Sequence, residues 1–352
     1  MKYKERMISF LLKNANPSIV YRVKKEILGD LSNAEGKQLQ ERIMSEKIIK
    51  KIVACQKPNG WLGNGYHGSN KNAGQFENQE VGTKYLAEKG VDREADVLKR
   101  AMIAFKGLAF TDPCYSRSAG EDGDEFRYAA NGHNLFRCAC IARAGFDDLI
   151  DIKPQISLAL DSFRRVLEVD SILDITHIRG NNERVFNDFE KWPCRYHLDI
   201  LAHTDSWKTE ENRRMLAEAV NKMMRRDRTD LIGVTASSWV GHVLRTAGCF
   251  PSQGFHVVDE AEGSKIYNLE YLVWLARCGV IKYCPELQTT LEEILQNITD
   301  DGVSDISVDN MFRNWGPYGG MQLEVDWRSK IRRQCDITFR TLQLCHYVEA
   351  AE

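Results

Sequence analysis

Residues 191–204, KWPCRYHLDILAHT, hold the densest run of chemistry-bearing side chains in the sequence. On a helix Tyr196, Asp199 and His203 stand at i, i+3 and i+7 and share a face, while His197 is rotated from Tyr196 by about 100°. A phenol, a carboxylate and an imidazole so close together are the groups that move protons in general acid–base catalysis. His197 and Asp199 cannot both point into one cavity. The spacing favours Asp199 inward, with His197 bonded to a neighbouring helix.

Comparable residues recur at the starts of other weakly charged helical segments: Glu77 and Glu80, His133 and Asn134, Glu270, and Asp336 with Arg340. If those segments enter a common interior at one rim, these side chains converge there. An unpaired polar group in an apolar wall costs on the order of several kcal/mol, so such groups would pair and shift one another's pKa values. Each one alone also reads as a helix cap or a tie between helices. Together they mark a candidate acid–base site. Asp336 and Asp199 are its acids, His133 and His197 their partners, and Tyr196, Glu270, Arg340, Asn134 and Glu80 its substrate-binding walls. Asp199 is expected to find its partners chiefly on the helix that starts at Asp336. Trp61, Tyr66 and His67, in a Gly-rich loop, are added as a possible cover over the site.

These residues need a scaffold, and the totals permit a large one. A chain of 352 residues, 43% apolar and 28% charged, buries an ample core without disulfide or metal support. A net charge of −2 provides no electrostatic footprint for nucleic acid. No apolar run is long enough to span a membrane and the N-terminal one is too short for a signal peptide, so a cytoplasmic location is expected. The ten cysteines include no C-x-x-C pair, and most sit in apolar helical patterns where a thiol acts as a small hydrophobe. No metal and no cofactor are expected, and neither a P-loop nor G-x-S-x-G occurs.

The periodicity predicts helices over 17–28 and 35–55, then a repeating unit. In this unit a helix ends in an apolar pair, two variable residues and a glycine: YLAEKG (85–90), CIARAG (140–145), VLRTAG (243–248) and WLARCG (274–279). Glycine there is the expected left-handed cap. A second, amphipathic helix follows at 93–105, 153–169, 209–225 and 285–298. The first type is apolar nearly all round and reads as an inner layer, at 76–89, 131–144, 194–205, 236–247, 268–278 and 335–349; the second reads as an outer layer. Such alternation predicts one all-α domain over 1–352, a closed ring of about six helical hairpins (58–352) with N-terminal helices (1–57) packed on it. The strand candidates VVD and VSDISV are left in loops.

The unit resembles the squalene-cyclase and prenyltransferase-like repeat, the alpha/alpha toroid shared by class II terpene cyclases and protein prenyltransferase beta subunits. Gln56, Gly60 and Trp61 are similar to its Q-W signature, although the usual residue between glycine and tryptophan is missing. NPSIVYRV (16–23), PNGW with Tyr66 and His67, NGHNLFRCAC (131–140), WPCRYHLD (192–199) and CDITFR (335–340) resemble, in order and spacing, a bacterial branch of that superfamily. The resemblance implies a cyclase- or transferase-like enzyme that uses acid–base residues of a central cavity on a largely apolar small molecule. It also implies signatures that the chain lacks. Asp122-Gly-Asp124-Glu125 is one residue from the DxDD acid motif and reads as a solvated turn. Asp147-Asp148-Leu-Ile-Asp151 spells DDxxD but falls in the turn after Gly145, and the D-x-C of the zinc prenyltransferases is absent. The seven tryptophans read as packing between hairpins, or as an aromatic lining for carbocations. Two other readings stay open: a polysaccharide-lyase-like toroid using Tyr196, His197 and Arg340 as base and charge neutraliser, and a non-enzymatic ligand-binding or scaffold toroid.

Overall fold

Asn16, Ser32, Asn78 and Asn268 each accept a backbone N–H in the first turn of the helix that follows them, and these caps fix four of the helix starts. The computed structural model describes residues 2–66, 76–106, 124–179, 183–187, 190–225, 234–235, 256–258, 264–316 and 319–351, with backbone alone for 124–133. Over these residues the chain is mostly helical. The first four helices are α1 (Lys2–Asn14), α2 (Pro17–Arg22, extended by a π-helical turn Val23–Leu28), α3 (Asn33–Met44) and α4 (Lys47–Ala54). Then come α5 (Gln79–Glu88), α6 (Asp96–Lys106), α7 (Asp124–Arg143), α8 (Lys153–Glu168), α9 (Arg195–Ala202) and α10 (Glu210–Arg225). The last three are α11 (Leu269–Cys278), α12 (Pro285–Gln296) and α13 (Lys330–Ala350).

The two expected helix types are present. Every residue of α9 is buried, and so is every residue of α11 except Arg277. By contrast α10 buries only a stripe that includes Leu216, Ala219, Val220 and Met223, and α8 one of Ile156, Ala159, Leu160 and Phe163. Gly90, Gly145 and Gly279 end α5, α7 and α11 with φ of 73°, 73° and 72°, a backbone that a β-carbon would strain. Five helices pack in succession: α5 on α7, α7 on α9, α9 on α11 and α11 on α13. α13 also packs on α1 and α2, while α6, α8 and α10 lie against α5, α9 and α8 respectively.

Four expectations change. The helix read over 35–55 is broken: Ser45 closes α3 and Glu46 is extended, because the apolar positions Leu39 and Ile43 are out of phase with Ile49 and Ile52. Residues 2–14 form a helix that periodicity did not single out, held by the buried Met7 and Leu11 one turn apart. Asp124 and Glu125, read as part of a turn, open α7. Two small three-stranded sheets also occur where loops were expected. In the first, β1 (Thr176–Arg179) and β2 (Glu183–Phe186) are antiparallel and β3 (Val234–Thr235) joins β2 in parallel. In the second, β4 (His256–Val258), β5 (Lys265–Tyr267) and β6 (Ser307–Val308) repeat the arrangement. Strands of two to four residues are too short to print a period of two on the sequence. The inner helix read over 236–247 lies outside the described residues, and no helix among those described is long and apolar enough to cross a membrane.

Candidate functional site

Four of the helices packed in succession carry a line of polar or aromatic side chains at three- and four-residue intervals. On α5 it is Glu80, Lys84 and Glu88; on α9 Tyr196, Asp199 and His203; on α11 Glu270, Trp274 and Arg277; on α13 Asp336, Arg340, Gln343 and Tyr347. This spacing keeps the members of each line on one face, and contacts between the lines show that they look at one another.

At one end the lines are closed by ion pairs. Glu88 Oε2 sits 2.8 Å from Arg340 and 2.9 Å from Arg22, and its other oxygen is 3.5 Å from Arg143. Burial opposes the charge of Glu88, but the three guanidiniums hold its carboxyl well below the usual range. Arg143 reaches on to Asp199 at 2.6 Å, and His203 Nδ1 lies 2.9 Å from the same carboxylate. Asp199 is likewise held ionised, by Arg143 against its own burial, whereas burial pushes His203 down to about 4. Asp199 is buried. Its partners, though, are Arg143 of α7 and His203 of its own helix, and not residues of α13.

The other end is less neutralised. The Tyr196 hydroxyl donates to Glu80 Oε1 at 2.5 Å, joining α9 to α5. Arg195 donates to Glu270 Oε2 at 2.7 Å, joining α9 to α11, and its guanidinium lies 5.0 Å from the Trp274 ring centroid and 5.6 Å from that of Tyr196. Among the described residues, neither the buried Glu270 Oε1 nor the buried Asn134 Oδ1 has a hydrogen-bond partner. Lys84 completes this end. It is 4% exposed, its Nζ donates to Gly316 O at 2.7 Å and Gly319 O at 2.9 Å, and it lies 5.7 Å from the Trp315 ring centroid. Burial, with Arg195 and Arg143 nearby, pushes its ammonium down to about 8.

The remaining sequence candidates are placed as follows. Among the described residues His197 bonds no neighbouring helix: its Nδ1 accepts the Cys194 N–H at 2.9 Å and caps α9, and burial pushes it down to about 3. Asp336 accepts from the backbone N–H groups of Leu323 and Glu324 and from the Trp327 indole at 2.5 Å, so it fastens the 323–327 segment. Burial nevertheless pushes its carboxyl up to about 6. Arg340 belongs to the ion-paired end. Trp61 stacks on Tyr66 at 5.8 Å, Tyr66 on Phe136 at 6.4 Å, and Phe136 meets Tyr196 at 4.3 Å, an aromatic row that leads to the Tyr196–Glu80 pair. The His133 side chain and His67 lie outside the described residues. Asp148 of the DDxxD string is exposed and pairs with Arg93. Among the described residues no cluster of three metal-ligating groups occurs.

Lys84, Glu88, Arg143 and Arg195 were not singled out from the sequence. A signal existed in the repeat itself, because the residue two before each capping glycine is Glu88, Arg143 and Arg277 in the three described copies. Read as variable, that position is where successive helices pair.

Glu324, beside Asp336, gives a test of this buried charge. Its Oε1 accepts the Asn16 N–H, and burial pushes its carboxyl up to about 7 from 4.5. The folded chain holds that proton more tightly than the unfolded chain, so this group's stabilising contribution falls as pH rises from about 4.5 to 7. Glu324→Gln removes the ionisation and leaves the histidines unchanged. Relative to the parent, the variant is expected to gain on the order of 1 kcal/mol in unfolding free energy between pH 5 and pH 8, read by urea denaturation. An equal difference at both pH values counts against the assignment.

No protein-family model matches the chain, and no curated protein or solved structure is significantly similar to it.

Proposed function

We propose that the chain is an alpha/alpha toroid and an acid–base enzyme whose inner helices surround a chamber for a polar, oxygen-rich substrate. The toroid is supported by the packing order α5, α7, α9, α11, α13. The return to α5 runs through α2, where Arg22 meets both Glu88 and the Phe339 ring. The observation that carries the chemistry is the Tyr196–Glu80 pair at 2.5 Å, with the Arg195–Glu270 pair beside it. Tyr196 is the proton-transfer group facing substrate, Glu80 exchanges its proton, and Glu270 Oε1 takes a substrate hydroxyl or amine. This arrangement lies nearer the polysaccharide-lyase-like alternative than the cyclase-like one. A carbocation needs open aromatic faces, and here cations already lie over Trp274 (Arg143 and Arg195) and Trp315 (Lys84).

Native mass spectrometry of protein purified from its host tests the reading, and the retained compound supplies the assay substrate. A polar oxygenated ligand is expected. Tyr196→Phe and Glu80→Gln are each expected to lower its turnover by about 10²-fold or more, while unfolding free energy moves by only about 1 kcal/mol. A retained isoprenoid, or turnover indifferent to both substitutions, overturns the proposal.

A further inference from the structure

Lys84 breaks the rule that the other buried cations follow. Arg22, Lys89, Arg143, Arg195 and Arg340 each face a carboxylate within 4 Å. No such partner among the described residues stands against Lys84, although it is as buried as they are. A buried ammonium without a counter-charge is costly, and neutralising it is the cheaper state.

The hydrogen bonds suit the neutral form. A tetrahedral amine nitrogen has its carbon, two N–H groups and one lone pair. The carbonyls of Gly316 and Gly319 take two N–H donors whether the group is an ammonium or an amine. Loss of the third proton therefore sacrifices neither bond and leaves a lone pair in the fourth direction. Burial together with the guanidiniums of Arg195 and Arg143 works the same way and outweighs the opposing pull of Glu270 and Glu80, so the free amine is reached at a lower pH than for an exposed lysine. Glu80 stands one helical turn away on the same face and is hydrogen-bonded to the Tyr196 hydroxyl.

We propose that Lys84 is an imine-forming lysine, its ε-amine attacking the carbonyl carbon of an aldehyde- or ketone-bearing substrate held in the chamber. The nitrogen lone pair forms the C–N bond, and the carbonyl π pair moves to oxygen, which takes a proton from Tyr196. The resulting carbinolamine loses that oxygen as water. The two amine hydrogens depart in the same water once Glu80 and Tyr196 have returned to their starting protonation states. No oxidant or reductant enters, and hydrolysis reverses the step. The inference rests on the reading of this interior as a reaction chamber and narrows the substrate to a carbonyl compound.

The test is reductive trapping in the full chain, with glycolaldehyde as the probe and sodium cyanoborohydride as the reductant, followed by peptide mapping. The expected result is a secondary-amine adduct on Lys84 formed at least about tenfold faster than on the exposed lysines, with a rate that climbs as pH rises towards 8. Lys84→Arg keeps donors for Gly316 and Gly319 but has no nucleophilic amine; it is expected to lose this adduct while its thermal midpoint stays within a few degrees of the parent. Lys84→Met serves if the arginine variant does not fold, and should also lose the adduct. Labelling of Lys84 no faster than that of exposed lysines overturns the proposal. Tyr196→Phe separates the two readings: loss of turnover in that variant, with no Lys84 adduct in the parent, sinks the imine and leaves the acid–base chamber standing.

Discussion

Replacing Glu88 with alanine is expected to lower the unfolding free energy by about 3–5 kcal/mol, the range for removing one partner of a buried ion pair. The carboxylate lies between Arg340, Arg22 and Arg143, and all four groups are almost wholly withdrawn from water. The three cations are not equally stranded by its loss. Arg143 retains Asp199 and Arg22 retains Glu26, but among the described residues Arg340 is left with Gln343 Oε1 and the Met321 carbonyl, and its Nε has no partner there. Removing that charge as well, in Glu88→Ala with Arg340→Met, should recover a good part of the loss. Urea denaturation of the parent, both single variants and the double variant gives the coupling energy directly. A cost for Glu88→Ala of below about 1 kcal/mol, as for exposed pairs, would show that these charges do not hold the helices together.

Asp336→Ala is expected to cost at least about 3 kcal/mol, since each buried donor left without an acceptor costs about 1–3 kcal/mol. Three donors lose their acceptor together: the N–H groups of Leu323 and Glu324 and the indole N–H of Trp327. Asp336→Asn should fall between parent and alanine, because the amide keeps one acceptor oxygen but turns N–H groups towards other donors. Trp327 reports locally, so its fluorescence should change in both variants before global unfolding. The same argument limits what an activity assay can show. A variant of Asp336 that loses turnover has also lost the 323–327 segment, so only Tyr196 and Glu80 variants with near-parental stability speak to the chemistry.

Much of the fold was legible, because the signals were long and physical. Three of the capping glycines, the amphipathic stripes of α8 and α10 and the apolar residues spread over several faces of α9 and α11 each depend on residues close in sequence. The site was legible only as a set of lines. Tyr196, Asp199, Glu80 and Glu270 are all buried, but a sequence does not say which line meets which. Asp199 was assigned to α13 and meets α7; His197 was assigned to a neighbour and caps its own helix; Asp336 was assigned to the site and fastens a loop. Pairings across helices are decided by distances of a few ångströms between elements far apart in the chain. Local periodicity carries no information about those distances.

The packing of α13 on both α1 and α11 also sets an order of events during folding. Lys4 and Glu349 pair across 345 positions, and Arg332 donates to the Asn14 carbonyl across 318. Contacts of that separation require closing very long loops, and such closures slow folding. During synthesis α2, α5 and α7 can meet early and bring Arg22 and Arg143 to Glu88, while Arg340 arrives only with α13. Until then the flanks of α1 and α11 stay open to water and to other unfolded chains. Slow translation just upstream of residue 330 would lengthen that interval.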